Sequence, residues 1–227
     1  MTRFVFMLTH DDATVPGAAE VARQLAPLDI GVVGFKDVGL PPERLAEVVA
    51  ILREQGREIA LEVVNPDRDA ELRAVEAGLE LGVDLLLGGT QIPEALALIG
   101  NADVRYCPFP GEIVGHPSVL AGTHDEIVAS AVELASLDGV WGLDLLAYRF
   151  AGDADALMRD TIAAVTKPVI IAGSVADTDR IARIAAAGAW GFTVGSAAFD
   201  ARFVPGAGLL DQLHAVIEAT EATPKEV

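Results

Sequence analysis

Thirteen arginines and three lysines carry the positive charge of this chain, and one lysine stands where an apolar run ends, at Gly34-Phe35-Lys36-Asp37. Arginine keeps its proton near neutral pH, whereas a lysine in a dry pocket can release it and act as acid, base or imine-forming amine. Lys36 is therefore the first candidate for chemistry; an ion pair with Glu62 or a phosphate clamp are its structural alternatives. Glu62 in Leu61-Glu62-Val63-Val64 and Asp144 in Leu143-Asp144-Leu145-Leu146 are carboxylates set among apolar residues. A charged group in such a run must face a pocket or be paired. Facing one pocket, Lys36, Glu62 and Asp144 would form a proton-transfer group whose members shift one another's pKa. Facing away, each carboxylate would bond loop N–H groups instead.

Two further runs share one design. Pro168-Val169-Ile170-Ile171-Ala172-Gly173-Ser174 and Gly191-Phe192-Thr193-Val194-Gly195-Ser196 are apolar strands that end in Gly-Ser. Glycine lets backbone N–H groups approach an anion with no Cβ in the way, and the serine hydroxyl adds a donor. Side by side, Gly173, Ser174, Gly195 and Ser196 would make a phosphate cup, completed by a short helix starting at Ser196.

Such a cup belongs after the last two strands of a (β/α)8 barrel. Buried strands are expected at Phe4 to Leu8, Gly31 to Phe35, Ile59 to Val64, Asp84 to Leu87, Val104 to Pro108 and Val140 to Leu145, followed by the two Gly-Ser strands. Helical patterns alternate with them: Ala18 to Leu25, Pro42 to Gln55, Asp69 to Leu81, Pro93 to Ile99, His124 to Leu137, Asp155 to Val165, Asp177 to Ala187 and Leu209 to Thr220. The pattern predicts an α/β chain forming a single (β/α)8 TIM barrel over residues 1–221, with a short tail at 222–227. In that fold chemistry sits where strands hand over to the following loops. The polar residues there are His10, Asp37, Thr90, Tyr148 and Arg149, which join the pocket candidates.

The longest connection runs from Pro108 to Thr123 and holds Gly111-Glu112-Ile113-Val114-Gly115-His116-Pro117. Long loops in compact folds are usually functional, so this segment is expected to be a lid carrying His116 as acid or base; a surface histidine fixed by Pro117 is the alternative. Thr123 reads as the cap of the helix that follows. Cys107, the single cysteine, reads as packing, and it can form neither an internal disulfide nor a thiolate cluster. His10 with Asp11 and Asp12 is too sparse a set for a metal site, and Gly88-Gly89 lacks the context of a dinucleotide fingerprint. No metal and no cofactor are expected.

A formal net charge of −18 over 227 residues repels other polyanions, so neither nucleic acid nor an anionic membrane surface fits as a partner. An anionic small molecule then needs positive charge gathered locally, by Lys36, Arg149 and helix N-termini. No apolar run is long enough to cross a bilayer and no secretory leader is evident, which predicts a cytoplasmic protein. A homo-oligomer is compatible with the sequence.

The run Val169 to Val175, the helix end Ala186-Ala187-Gly188-Ala189 and the run Gly191 to Ala197 resemble the phosphate-binding last quarter of the ribulose-phosphate-binding barrel superfamily. That group includes ribulose-phosphate epimerase, isomerases of histidine and tryptophan biosynthesis, N-acetylmannosamine-6-phosphate epimerase and sugar-phosphate decarboxylases. The resemblance implies phosphate contacts from Gly173, Ser174, Gly195 and Ser196. Gly34-Phe35-Lys36-Asp37 is similar to the lysine-bearing strand ends of the decarboxylases and the mannosamine epimerase. The decarboxylases' Asp-x-Lys-x-x-Asp pattern is broken by Gly34 and Gly39, and Asp144 stands where related aldolases place a lysine. The expected function is a phosphosugar isomerase or epimerase acting on a small phosphorylated substrate. An aldolase or decarboxylase using Lys36 as Schiff-base amine is the second reading, and a non-catalytic phosphometabolite-binding protein the third.

Overall fold

Eight short apolar runs, each buried on both faces, are what a parallel sheet wrapped by helices requires. The computed structural model, which describes residues 2–222, places them as β1 (Arg3–Met7), β2 (Val32–Lys36), β3 (Glu58–Val63), β4 (Leu85–Gly88), β5 (Arg105–Cys107), β6 (Leu143–Leu145), β7 (Val169–Ile171) and β8 (Gly191–Val194). All neighbours pair in parallel, in the spatial order β6-β7-β8-β1-β2-β3-β4-β5. The two ends of that order meet through a bridge between Tyr106 and Val140, with the Trp141 amide donating to the Tyr106 carbonyl at 2.8 Å and the Asp144 amide to the Pro108 carbonyl at 3.0 Å. The sheet is thus a nearly closed barrel, as the sequence predicts. The tail expected from residue 222 lies, beyond Ala222, outside the described residues.

The helices are α1 (Ala18–Gln24), α2 (Pro42–Glu54), α3 (Arg68–Leu81), α4 (Ile92–Ile99), α5 (His124–Ser136), α6 (Ala154–Ala164), α7 (Thr178–Ala186), the short α8 (Ser196–Phe199) and α9 (Leu209–Glu221). Several begin where a side chain satisfies an otherwise orphaned N–H. Asp67, Asp153 and Asp177 accept from the amides of Ala70, Ala156 and Arg180. Thr123 and Glu126 form the reciprocal capping box that starts α5.

The period of two along each strand divides the apolar residues into two clusters. Phe6, Val33, Phe35, Ile59, Leu61, Leu86, Leu143 and Ile171 pack outward with the helices. Val5, Met7, Val32, Ala60, Leu85, Leu87, Cys107 and Ile170 pack together inside the barrel. The same parity carries Lys36 inward after Val32, and Glu62 inward after Ala60. It also turns Asp144 inward, between the outward Leu143 and Leu145.

Two elements interrupt the simple alternation. A two-stranded hairpin, Thr9–His10 against Ala13–Thr14, follows β1. A second, Glu112–Val114 against Val119–Ala121, occupies the middle of the connection after β5. The Pro108 to Thr123 segment is therefore an ordered hairpin rather than a plain loop, because Glu112-Ile113-Val114 and Val119-Leu120-Ala121 satisfy each other's backbone groups.

Candidate functional site

Lys36 and Glu62 end neighbouring strands and are direct partners in the β2–β3 register. Both side chains are almost fully buried, and the Lys36 Nζ lies 3.4 Å from Glu62 Oε2. The same Nζ donates to Asp12 Oδ1 at 2.5 Å. Asp12 is the residue that sequence reasoning undervalued. It sits in the turn of the first hairpin, where Asp11 and Asp12 both adopt left-handed backbone angles, φ 47° and 63°, a conformation that aspartate tolerates better than most residues. Thr14 anchors this hairpin: its hydroxyl donates to the Lys36 carbonyl and accepts from the Lys36 amide, both at 2.8 Å. Two adjacent acids immediately after an apolar strand were the available signal.

Arg149 closes the group from the opposite side of the mouth. Its guanidinium donates to both Asp12 oxygens, at 3.0 and 2.8 Å, and to the Ser118 carbonyl at 2.9 Å. The Ser118 amide donates in turn to Asp12 Oδ2 at 3.1 Å, so the second hairpin is strapped to the same carboxylate. Burial works against ionisation of Asp12, but the Arg149 guanidinium and the Lys36 ammonium outweigh it and hold this carboxyl well below the usual carboxylate range.

Asp144 lies beneath these groups and is fully buried, with no hydrogen-bond partner for either carboxylate oxygen. Burial first, and then the nearby Glu62 charge, push its pKa well above the ordinary value; Lys36 and Arg149 offset this only in part. Burial therefore favours the neutral form of Asp144. Asp12 and Glu62 then balance Lys36 and Arg149, and a fifth charge would have no counter-ion. The Cys107 thiol is pushed up by its own complete burial and by Asp144, which leaves it inert packing inside the barrel.

A cavity of about 110 Å³ opens above Lys36 and Glu62. Gly173, Ser174, Gly195 and Ser196 all line it, together with Asp12, Arg149, Thr9 and Thr193. Both glycines are required by close approach. A Cβ on Gly173 would lie 2.6 Å from Arg149 Nε, and one on Gly195 would lie 2.4 Å from the Thr9 hydroxyl oxygen. Ser174 follows Gly173 in a left-handed conformation of its own, φ 58°, local strain of a kind that concentrates at functional sites. The Ser196 hydroxyl accepts from the Asp11 amide at 3.0 Å, tying the start of α8 to the hairpin that carries Asp12. Thr193 was legible only by parity, as the polar residue between the outward-packed Phe192 and Val194.

The remaining candidates lie around this centre. His10 contacts Asp200 at 2.8 Å, and that bond raises its pKa. Asp37 accepts from the Val64 amide at 2.9 Å and braces the loops after β2 and β3; burial raises its pKa. Thr90 is held by the buried Glu71, which accepts from the Thr90 amide and hydroxyl and from the Gln91 amide. Tyr148 lies under the Arg180 guanidinium, 4.6 Å from its ring centre, and points toward Asp155. His116 is exposed in the turn of the second hairpin. None of these five lines the cavity above Lys36. Among the described residues, no three His, Cys, Asp or Glu side chains converge as metal ligands do.

No protein-family model and no curated protein matches the sequence. Solved structures do match. Orotidine 5'-phosphate decarboxylase from Pyrococcus horikoshii OT3 superposes with a TM-score of 0.66 at 14% identity, covering 97% of this chain and 100% of that one. A native KDPGal structure gives 0.63 at 17% identity over 96% and 94% of the two chains. The N-acetylmannosamine-6-phosphate 2-epimerase from Clostridium perfringens gives 0.63 at 11% identity over 95% and 92%. What is shared is the fold. This chain is a TIM barrel, and the likeness covers it nearly end to end.

Proposed function

We propose that the protein is an enzyme of small phosphorylated metabolites, an isomerase or epimerase that moves a proton at the carbon beside a carbonyl. The observation that carries this reading is the Lys36 ammonium held between Asp12 and Glu62, on the floor of a cavity whose rim holds both Gly-Ser strand ends. The Gly-Ser pairs would hold the phosphate and so fix the distance of the carbonyl end from the floor. Glu62 would take the proton, and Lys36 would donate a hydrogen bond to the carbonyl oxygen and stabilise the enediolate that forms. Asp144, fully buried, does not line the cavity and is given no contact with substrate.

The aldolase or decarboxylase alternative needs Lys36 as a free amine. An ammonium paired with two carboxylates has no lone pair to attack a carbonyl, which favours proton transfer over imine formation. Incubation in deuterated buffer with a series of ketose and aldose monophosphates tests the choice. Solvent deuterium should enter at the carbon next to the carbonyl, and borohydride should trap no adduct on Lys36. An adduct on that lysine would establish the lyase reading. Tight binding with neither exchange nor adduct would leave a non-catalytic phosphometabolite-binding protein.

A further inference from the structure

The floor of the cavity is closed to a second anion. Its two cations are both committed: Lys36 to Asp12 and Glu62, and Arg149 to both oxygens of Asp12 and to the Ser118 carbonyl. Below them Asp144 is fully buried with no hydrogen-bond partner, and burial and the Glu62 charge both oppose its ionisation. What the floor and wall offer a ligand is acceptor oxygens on Asp12 and Glu62 and the hydroxyls of Thr9 and Thr193. Carboxylate oxygens accept from hydroxyl groups and repel other carboxylates, and in a largely desolvated site that repulsion is weakly screened.

We infer that the site selects a phosphorylated polyhydroxy carbonyl compound whose reacting end is uncharged, and rejects the corresponding sugar acid phosphate or bisphosphate. The inference rests on the phosphate placement proposed above and adds the charge of the other end. A carboxylate brought to the remaining Lys36 N–H would lie beside Asp12 and Glu62, whose charges already balance the two cations, so nothing would offset the added negative charge.

Equilibrium binding of fructose 6-phosphate, 6-phosphogluconate and inorganic phosphate to the intact chain tests it. Fructose 6-phosphate should bind at least about tenfold more tightly than 6-phosphogluconate. Glu62→Gln, which removes one floor charge, should narrow that ratio by improving the acid. Inorganic phosphate should still bind this variant, no more weakly than the parent, which shows that the cup and fold are intact. Equal or tighter binding of 6-phosphogluconate, with inorganic phosphate still bound, would overturn the inference and leave the phosphate cup standing. Failure of all three to bind would remove the cup and the inference together.

Discussion

At the scale of single residues, the site is a charge balance with one carboxyl whose ionisation burial opposes, and that carboxyl gives a measurable pH dependence. The pKa of Asp144 is raised in the folded protein. Below the unfolded value of about 4 it is protonated in both states and costs nothing. Above that value the unfolded chain ionises and the folded chain does not, so stability is lost as pH rises toward the folded pKa, by about 1.4 kcal/mol per pH unit. Asp144→Asn removes this loss. In urea unfolding the variant should gain on the parent as pH rises above about 4, up to the folded pKa; two parallel curves would mean that Asp144 ionises as freely in the fold as in the unfolded chain. Asp12 contributes with the opposite sign, since its lowered pKa stabilises above about pH 4 and the benefit fades in acid, but it is common to both proteins and cancels in the comparison. Lys36 and Glu62 were legible in the sequence because a charge inside an apolar run has few places to go. The depth of Asp144 was not, because alternation gives the face of a strand and not the height of a residue above the sealed interior. Asp12 was obscured for a different reason. Its aim is set by a left-handed turn that Thr14 and Ser196 brace from distant parts of the chain.

At the scale of elements, the eight strands could be read directly, since each is a continuous apolar run separated from the next by a helical period. The hairpin after β5 could not. Pro108, Pro110 and Gly111 precede it and Gly115-His116-Pro117 turns it, so breakers dominate the composition while the two three-residue strands pair unseen. This hairpin is the candidate lid. It is tied to the mouth at Ser118, whose amide and carbonyl bond to the Asp12 and Arg149 pair, and through the backbone bridge between Leu120 and Phe150. A phosphorylated ligand that draws on Arg149 therefore acts on the hairpin through the same guanidinium. Hydrogen exchange across Glu112 to Ala121 should slow when such a ligand binds, most clearly at Ser118 and Val119. His116→Ala should lower turnover more than it weakens binding if the hairpin brings its turn over bound substrate. Unchanged exchange together with full activity of the variant would make the hairpin a fixed wall and His116 a surface residue.

At the scale of the whole molecule, the barrel has two ends with different tasks. The cavity proposed as the site opens at the end where β2 and β3 deliver Lys36 and Glu62, and the other end is closed by packing. There Trp141 and Trp190 meet edge to face, with ring centres 5.1 Å apart. Arg3 lies 4.8 Å over the ring of Trp190 and Arg105 lies 5.3 Å over that of Trp141. Glu58 accepts from both arginines and links the two pairs. Both tryptophans pack against the interior cluster that includes Val5, Val32 and Leu85, so they act as a plug under the barrel core. Removing one should open that core to water from below without touching the mouth. Trp190→Ala loses the aromatic pair, the cation–π contact with Arg3 and part of the interior packing, at a cost of about 3 kcal/mol. Urea unfolding should show that loss as a lower midpoint. Inorganic phosphate affinity, measured where the variant is still folded, should equal that of the parent, because stability at the bottom of this fold and binding at its top are built from different residues. A parallel drop in affinity would show instead that the interior cluster between Trp190 and Met7 transmits the disturbance upward to the floor on which Lys36 and Glu62 stand.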